Sequence, residues 1–144
     1  MTSNSGVPTP PADTPPNAAF VDDPATISDK QLLSPHIFSN CDAGSVQVSF
    51  RNNFNFQVGF DGGVLEVSFD DGLTFLDVLA AGGTFVLGGY NGTINSCCGN
   101  PLAGRQAWTG NSGGFIDTTV SLPGCAPVIL RWRMGSDSSV SGEG

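Results

Sequence analysis

The sequence predicts an all-β fold, an antiparallel β-sandwich, on three observations. Only 12% of the residues are charged, against about 25% in a typical domain. Glycine and proline are abundant, at 20 and 10 residues, and 10 phenylalanines supply most of the aromatic mass. Apolar residues alternate with polar ones in several short stretches, and nowhere do they keep a helical spacing for more than about one turn. Many turns, aromatic residues and a period of two are typical of β-sheet proteins.

The chain is predicted to contain one linker and one domain. Residues 1–17 hold half of the prolines, separated by small polar residues, and such a composition favours disorder because it cannot form a core. Residues 18–144 are then the β-sandwich domain. Turn signals at Asp22-Asp23-Pro24 and Ser34-Pro35 bound a short segment, after which Ile37 begins the folded part.

The first strands are predicted from alternation. Val46, Val48 and Phe50 alternate with polar residues, which indicates a half-buried strand. Phenylalanines and a valine continue the same period over residues 54–60, so we expect a second strand there after a bulge. Gly62-Gly63 interrupts the pattern before the next strand, which is expected over residues 64–69.

The remaining strands follow from turns and from further alternation. Asp70-Asp71-Gly72 predicts a hairpin turn, because Asp-Gly tolerates positive φ, and residues 73–79 are the expected partner strand. Further strands are expected over 84–87, 115–122 and 128–134. Residues 90–114 are rich in glycine and asparagine, and a long irregular stretch of this kind is often functional. Seven or eight such strands indicate a sandwich or a barrel.

Charge and hydropathy exclude two classes of partner. The formal net charge is −8, with only 5 basic residues, so the chain can neutralise few phosphates and we expect no nucleic-acid binding. No apolar run approaches the ~20 residues of a membrane span, so we expect no membrane insertion. The first residues have neither the basic start nor the apolar stretch of an export signal. We nevertheless expect an extracellular protein whose export signal lies elsewhere.

The four cysteines are Cys41, Cys97, Cys98 and Cys125. A zinc site is not expected, because there is no CxxC motif and the single histidine is not spaced to join the cysteines. One or two disulfides, formed in an oxidising compartment, are the favoured use. The adjacent Cys97 and Cys98 could each pair with one of the two distant cysteines, and free thiols are the alternative.

Four longer runs resemble a known type of module. They are DGGVLEVS at 61–68, GGYNGTI at 88–94, NPLAGRQAWTGNSGGF at 100–115 and LRWRMGSDSS at 130–139. Together they resemble the jelly-roll β-sandwich accessory modules of large secreted bacterial proteins, related to MAM-like and immune-inhibitor-A-like domains. The resemblance covers about residues 18–144. It implies an extracellular, non-catalytic module in a multidomain chain.

The resemblance also implies a missing strand. Related modules continue after the Gly-Ser-Asp-Ser-Ser segment with a strand of the type Gly-Trp-x-Ile/Val-Asp, whereas this sequence ends at Gly144. We therefore expect a jelly roll that lacks its final strand, with an open sheet edge suited to strand addition or self-assembly.

Catalysis is not expected. His36 is the only histidine, and Ser112 lies in a glycine-rich loop without the strand-Ser-helix context of a nucleophile elbow. The sequence has no HExxH motif, and the spacing of the carboxylates suggests no pair for glycoside hydrolysis.

Two kinds of binding site are predicted. Asp61 and Asp137 lie in oxygen-rich turns, and they are the candidate ligands for a structural calcium ion, which related jelly rolls often hold. A turn-capping Asp61 and a solvated Asp137 are the alternatives. Tyr90, Arg105 and Trp108 lie in the glycine-rich region, where aromatic rings could stack on a sugar. Alternatively, Trp108 is a core residue and Arg105 pairs with a carboxylate.

Three functions are compatible with this sequence. The first is an extracellular module for adhesion, carbohydrate contact or spacing within a larger surface or secreted protein. The second is a structural subunit that binds another protein chain by strand exchange. The third is an accessory fragment of a secreted metallopeptidase.

Overall fold

The computed structural model describes residues 2–3, 12–14, 18–38, 44–124 and 127–144. These residues form antiparallel strands and contain no helix, which confirms the all-β fold class. The strands are β1 Thr2–Ser3, β2 Ala19–Phe20, β3 Ser28–Leu33, β4 Ser45–Asn52, β5 Gly62–Ser68, β6 Leu76–Asp77, β7 Thr84–Leu87, β8 Gly92–Thr93, β9 Gln106–Ala107, β10 Ile116–Pro123 and β11 Ile129–Ser136. In this part of the chain there is also no helix that could span a membrane.

Two sheets make up the body of the domain. One has three strands in the order β4-β10-β7, and the other has four in the order β3-β11-β5-β6. The central pairs are long: β4 pairs with β10 over all eight of its residues, from Ser45↔Pro123 to Asn52↔Ile116. Strands β3 and β4 are therefore both outer strands of their sheets.

The core lies between the two sheets. Val120 and Leu122 of β10 pack in the same buried cluster as Leu65 and Val67 of β5, together with Leu130 of β11. These residues occupy alternate positions on their strands, as the period of two predicts. The sheets are thus stacked face to face by apolar side chains.

The segment between β7 and β10 covers the outer face of the four-stranded sheet. A second buried cluster there joins Val64 of β5 to Ile94, Leu102 and Ala107. At Gly62 a side chain would collide with the carbonyl oxygen of Trp108, so only glycine permits this close approach. The predicted long loop is therefore a packed layer that contains the short β8–β9 pair.

Two predicted strands are wrong or too long. Residues 54–60 form no regular strand: Phe54 and Phe56 are buried, but the chain then turns, with the N–H groups of Phe60 and Asp61 donating to the carbonyl of Gln57. The strand expected over 73–79 is only the two-residue β6. The turn before it is confirmed, because both Asp71 and Gly72 have positive φ.

The N-terminal region contains more structure than the sequence predicts. β3 occupies the segment that was expected only as a stretch between turns, and it pairs with β11 over six residues. Part of the expected linker is described: β1 pairs with β2, and Asp13 bonds to Arg51 of β4.

Candidate functional site

A cavity of about 420 Å³ lies between the outer strands β3 and β4. Its walls come from both sheets, with Leu32 on one side and Phe50 on the other, and segment 18–21 forms part of its border. We call this space the inter-sheet cavity. The aromatic side chains that line it are Phe20, Phe50, Phe54, Phe56, Trp108, Phe115 and Trp132.

The aromatic rings of the cavity support one another. The ring of Phe50 meets Trp132 edge-on, with centroids 5.3 Å apart, and it meets Trp108 edge-on at 6.1 Å. Edge-to-face contacts of this kind are the favoured geometry for aromatic pairs. The cavity wall is therefore largely preformed.

Polar groups stand at the border of the cavity. Arg51 donates to Asp117 at 2.7 Å and to Asp13 at 3.2 Å, and Arg133 donates to Asp29 at 2.8 Å. The amide nitrogen of Asn52 is buried and has no hydrogen-bond partner among the described residues. A buried donor without a partner is uncommon in folded proteins.

The structure brings Tyr90, Arg105 and Trp108 together inside the fold. The rings of Tyr90 and Trp108 are 4.9 Å apart, and Trp108 is only 3% exposed. The indole N–H donates to the carbonyl of Gly88 at 2.9 Å. The hydroxyl of Tyr90 donates to the carbonyl of Leu65 and accepts from its N–H. Trp108 also lines the inter-sheet cavity, whereas Tyr90 and Arg105 do not.

Arg105 belongs to a buried ionic cluster on the outer face of β5. Glu66 is 3% exposed and accepts hydrogen bonds from Arg105 at 2.5 Å and from Arg131 at 2.6 Å, with Arg133 at 3.5 Å. Burial acts to raise the pKa of Glu66, but the bonds from the arginines outweigh it and hold that pKa below its ordinary value. Arg105 also donates to Asp77.

The candidate metal ligands Asp61 and Asp137 adjoin each other and a third buried acid, Asp23. Burial, with the negative charges of Asp23 and Asp137, raises the pKa of Asp61 to about 6. The Oδ1 atom of Asp23, the Oδ2 atom of Asp61 and the Oε1 atom of Gln57 are buried and have no hydrogen-bond partner in the described structure. We call Asp23, Asp61, Asp137 and the side chain of Gln57 the acidic cluster.

The acidic cluster has oxygen donors of the type that calcium prefers. Metal-binding geometry is nevertheless lacking, because the described residues contain no group of three or more His, Cys, Asp or Glu side chains arranged to hold an ion. Two of the carboxylates already hold the C-terminal tail. Asp61 accepts from the N–H of Asp137 at 2.5 Å, and Asp23 accepts from the N–H of Gly142 at 2.9 Å.

Cys97 and Cys98 form a disulfide with each other. The prediction that they pair with two distant cysteines is therefore wrong for these two, because each sulfur is already used by its sequence neighbour. Cys41 and Cys125 lie outside the described residues.

Two residues considered for catalysis lie apart from the cavity lining. His36 is exposed and contacts Asp71 at 3.2 Å. The hydroxyl of Ser112 bonds to Asn53 and to the backbone of Phe54.

No protein-family model, curated protein or solved structure matches this chain.

Of the aromatic residues that line the inter-sheet cavity, the sequence analysis named Trp108 alone as a binding candidate, and it did not predict the cavity. Phe50 and Trp132 were placed correctly on inward faces, and both pack against the main core. The available signal was Asn52-Asn53 at the end of an apolar strand, since a polar pair there marks where the core stops.

Proposed function

We propose that this chain is a non-catalytic, extracellular β-sandwich module that contacts a partner molecule through the inter-sheet cavity, as one part of a larger secreted or surface protein. The carrying observation is the cavity itself. Its volume of about 420 Å³ falls within the ~300–1,000 Å³ range of ligand sites, and an apolar wall with a few polar groups is their usual composition.

The geometry favours this cavity over the glycine-rich segment as the contact site. Tyr90, Arg105 and Trp108 each have internal partners, and those partners hold the covering layer on the sheet. Using them for carbohydrate would expose the second core cluster. The inter-sheet cavity needs no such rearrangement, because its aromatic walls already border an open space.

The positions of the reactive side chains support a non-catalytic role. Glu66 is fully engaged by arginines, which stabilise its ionised form and leave it unsuited to donating a proton. His36 and Ser112 have separate partners in different parts of the domain. The disulfide between Cys97 and Cys98 supports an oxidising, extracellular compartment.

A structural calcium ion at the acidic cluster is a second proposal. It is favoured by the buried, unpartnered oxygens of Asp23 and Asp61, whose charges would be compensated by a cation. Thermal unfolding with calcium and with a chelator tests it, since an ion that binds only the folded state at a hundred times its Kd adds about 2.7 kcal/mol of stability. Equal melting temperatures would reject the ion.

The contact site is tested with a small apolar probe. Both tryptophans of the chain line the cavity, so a bound neutral naphthalene dye should quench their emission by energy transfer. We expect saturable 1:1 binding that Val21→Phe, a change in the cavity wall, weakens. The matched control is Val86→Phe on β7, where the side chain is 61% exposed and outside the cavity.

Two results would reject the proposed function. One is dye binding that does not saturate, and the other is binding that Val21→Phe and Val86→Phe leave equally unchanged. A glycan array run with the same variants provides the carbohydrate comparison. Glycan binding that is sensitive to Tyr90→Leu, outside the cavity lining, but not to Val21→Phe would assign contact to the glycine-rich segment instead.

A further inference from the structure

We propose that the occupant of the inter-sheet cavity is an extended peptide segment of a partner chain, which adds as a strand to the outer edge of β4 and directs alternate apolar side chains into the cavity. This inference rests on the proposed function and names its partner.

The outer edge of β4 is long, and among the described residues no strand pairs with it, although Asp13 contacts the side chain of Arg51 near its end. Of the described strands only β10 pairs with β4, and it does so on one side, from Ser45 to Asn52. Eight residues extend over about 27 Å at 3.4 Å each. The N–H and C=O groups on the other side form a row that another strand can pair with.

The backbone just beyond β4 already bonds to the C-terminal tail on this side. Asn55 forms an antiparallel bridge with Asn111, which lies on the same side as β10. Its own N–H donates to the carbonyl of Gly144 at 3.1 Å, and its carbonyl accepts from the N–H of Glu143 at 3.0 Å. The C-terminal tail therefore lies on the side of Asn55 that faces away from β10. The N–H and C=O groups of Asn55 on this side are thus able to bond to another segment of backbone.

The cavity wall matches the side chains of such a strand. Phe50 points inward from β4, while Leu32 and Trp132 approach from the opposite sheet. A strand that continues the pleat next to β4 would place every second side chain among these groups. An occupant without regular alternation would leave half of these contacts unmade.

Charge selects the flanks of the guest. The domain carries a net charge of −8, so a guest with basic ends is favoured and an acidic one is repelled. The probe is therefore a synthetic peptide of the sequence Lys-Val-Thr-Val-Thr-Val-Lys. Each of two analogues is N-methylated at one of the two alternating sets of amides.

The N-methyl analogues separate strand addition from simple apolar binding. Only one set of amides in a docked strand faces β4, and a slip by two residues does not change which set that is. We expect the parent peptide to displace the naphthalene dye and to shift tryptophan emission. One analogue should lose affinity on the order of tenfold or more, and the other should bind like the parent.

Failure of this inference is distinguishable from failure of the proposed function. If the dye binds but both analogues match the parent, or if no peptide displaces the dye, strand addition is rejected and the contact site stands. If the dye does not bind, the proposed function fails first. A dimer in solution that the peptide does not disrupt would assign the cavity to a second copy. Peptide binding that requires removal of residues 1–17 would assign it to the N-terminal arm, and each of these two results overturns the inference.

Discussion

In buffer that contains a calcium chelator, replacing Asp61 with asparagine should stabilise the domain at neutral pH. The side chain is completely buried, and burial with the neighbouring charges of Asp23 and Asp137 raises its pKa from 3.8 to about 6. A pKa difference of one corresponds to about 1.4 kcal/mol, so the ionised carboxylate lowers the free energy of unfolding by about 3 kcal/mol at neutral pH. Asparagine keeps an acceptor for the N–H of Asp137, and we expect a net gain of about 2 kcal/mol.

The same shift fixes the direction of the pH dependence. Because the folded-state pKa of Asp61 lies above its unfolded value of 3.8, the stability from this group is fully present below that value and is lost as the pH rises through about 6. Glu66 and Asp29 have lowered pKa values, so they stabilise the fold at ordinary pH. That stabilisation is lost only when the pH falls below the ordinary carboxyl range. Burial also raises the pKa of Asp23, so the interval from about pH 5 to about pH 7 reports on the acidic cluster, and Asp61→Asn isolates the share of Asp61.

The assay is urea unfolding, followed by tryptophan emission, at several pH values across this interval. The wild type should lose stability as the pH rises, and Asp61→Asn should lose much less. Asp71→Asn is the matched control, because the side chain of Asp71 lies on an exposed turn and is 86% accessible. An unchanged slope in Asp61→Asn, or a variant less stable than the wild type at neutral pH, would refute the reasoning.

Three further predictions concern other parts of the domain. Glu66→Gln should lower the free energy of unfolding by about 3 kcal/mol in the same urea assay, because Arg131 then loses its one carboxylate partner among the described residues. Tyr90→Phe should cost about 1–3 kcal/mol in thermal unfolding, since the N–H of Leu65, which donates to its hydroxyl, would remain buried and unpaired. Non-reducing peptide mass mapping should find Cys97 and Cys98 joined within one peptide.

Each of these predictions has a contradicting result. A Glu66→Gln variant as stable as the wild type would mean that the arginines find solvent instead. For Tyr90→Phe the comparison is Phe85→Leu, which changes a ring 4.8 Å away but removes no hydroxyl. A Tyr90→Phe variant that is as stable as the wild type would show that water replaces the hydroxyl. A peptide that links Cys97 to Cys125 would contradict the observed disulfide.

Strands with clear alternation could be predicted from the sequence, because their burial is decided locally. β4, β5 and β11 have apolar residues facing inward at alternate positions, and each was predicted to within two residues at either end. β3 could not be found in this way. Its sequence, SDKQLL, is polar, because an outer strand with alternate exposed residues needs few apolar side chains.

Long-range contacts set the limits of the prediction. Residues 54–60 show the right period, but the turn at Gln57 ends the extended chain there. The inter-sheet cavity combines Phe20, Leu32, Phe50 and Trp132, which are far apart in sequence. No local pattern reports such a combination. The outer face of β5 carries the polar residue Glu66, and it is nevertheless buried by a distant segment through the ion pair with Arg105.

The ion pairs involve all five basic residues of the chain. Lys30 bonds to Asp22, and the four arginines each contact at least one carboxylate. What remains beyond these pairs is a surplus of negative charge, so the electrostatic field outside the molecule is anionic. Oppositely charged partners should then approach faster than diffusion alone allows, with an association rate that falls steeply as ionic strength rises. The internal use of the arginines thus governs how quickly other molecules reach this domain.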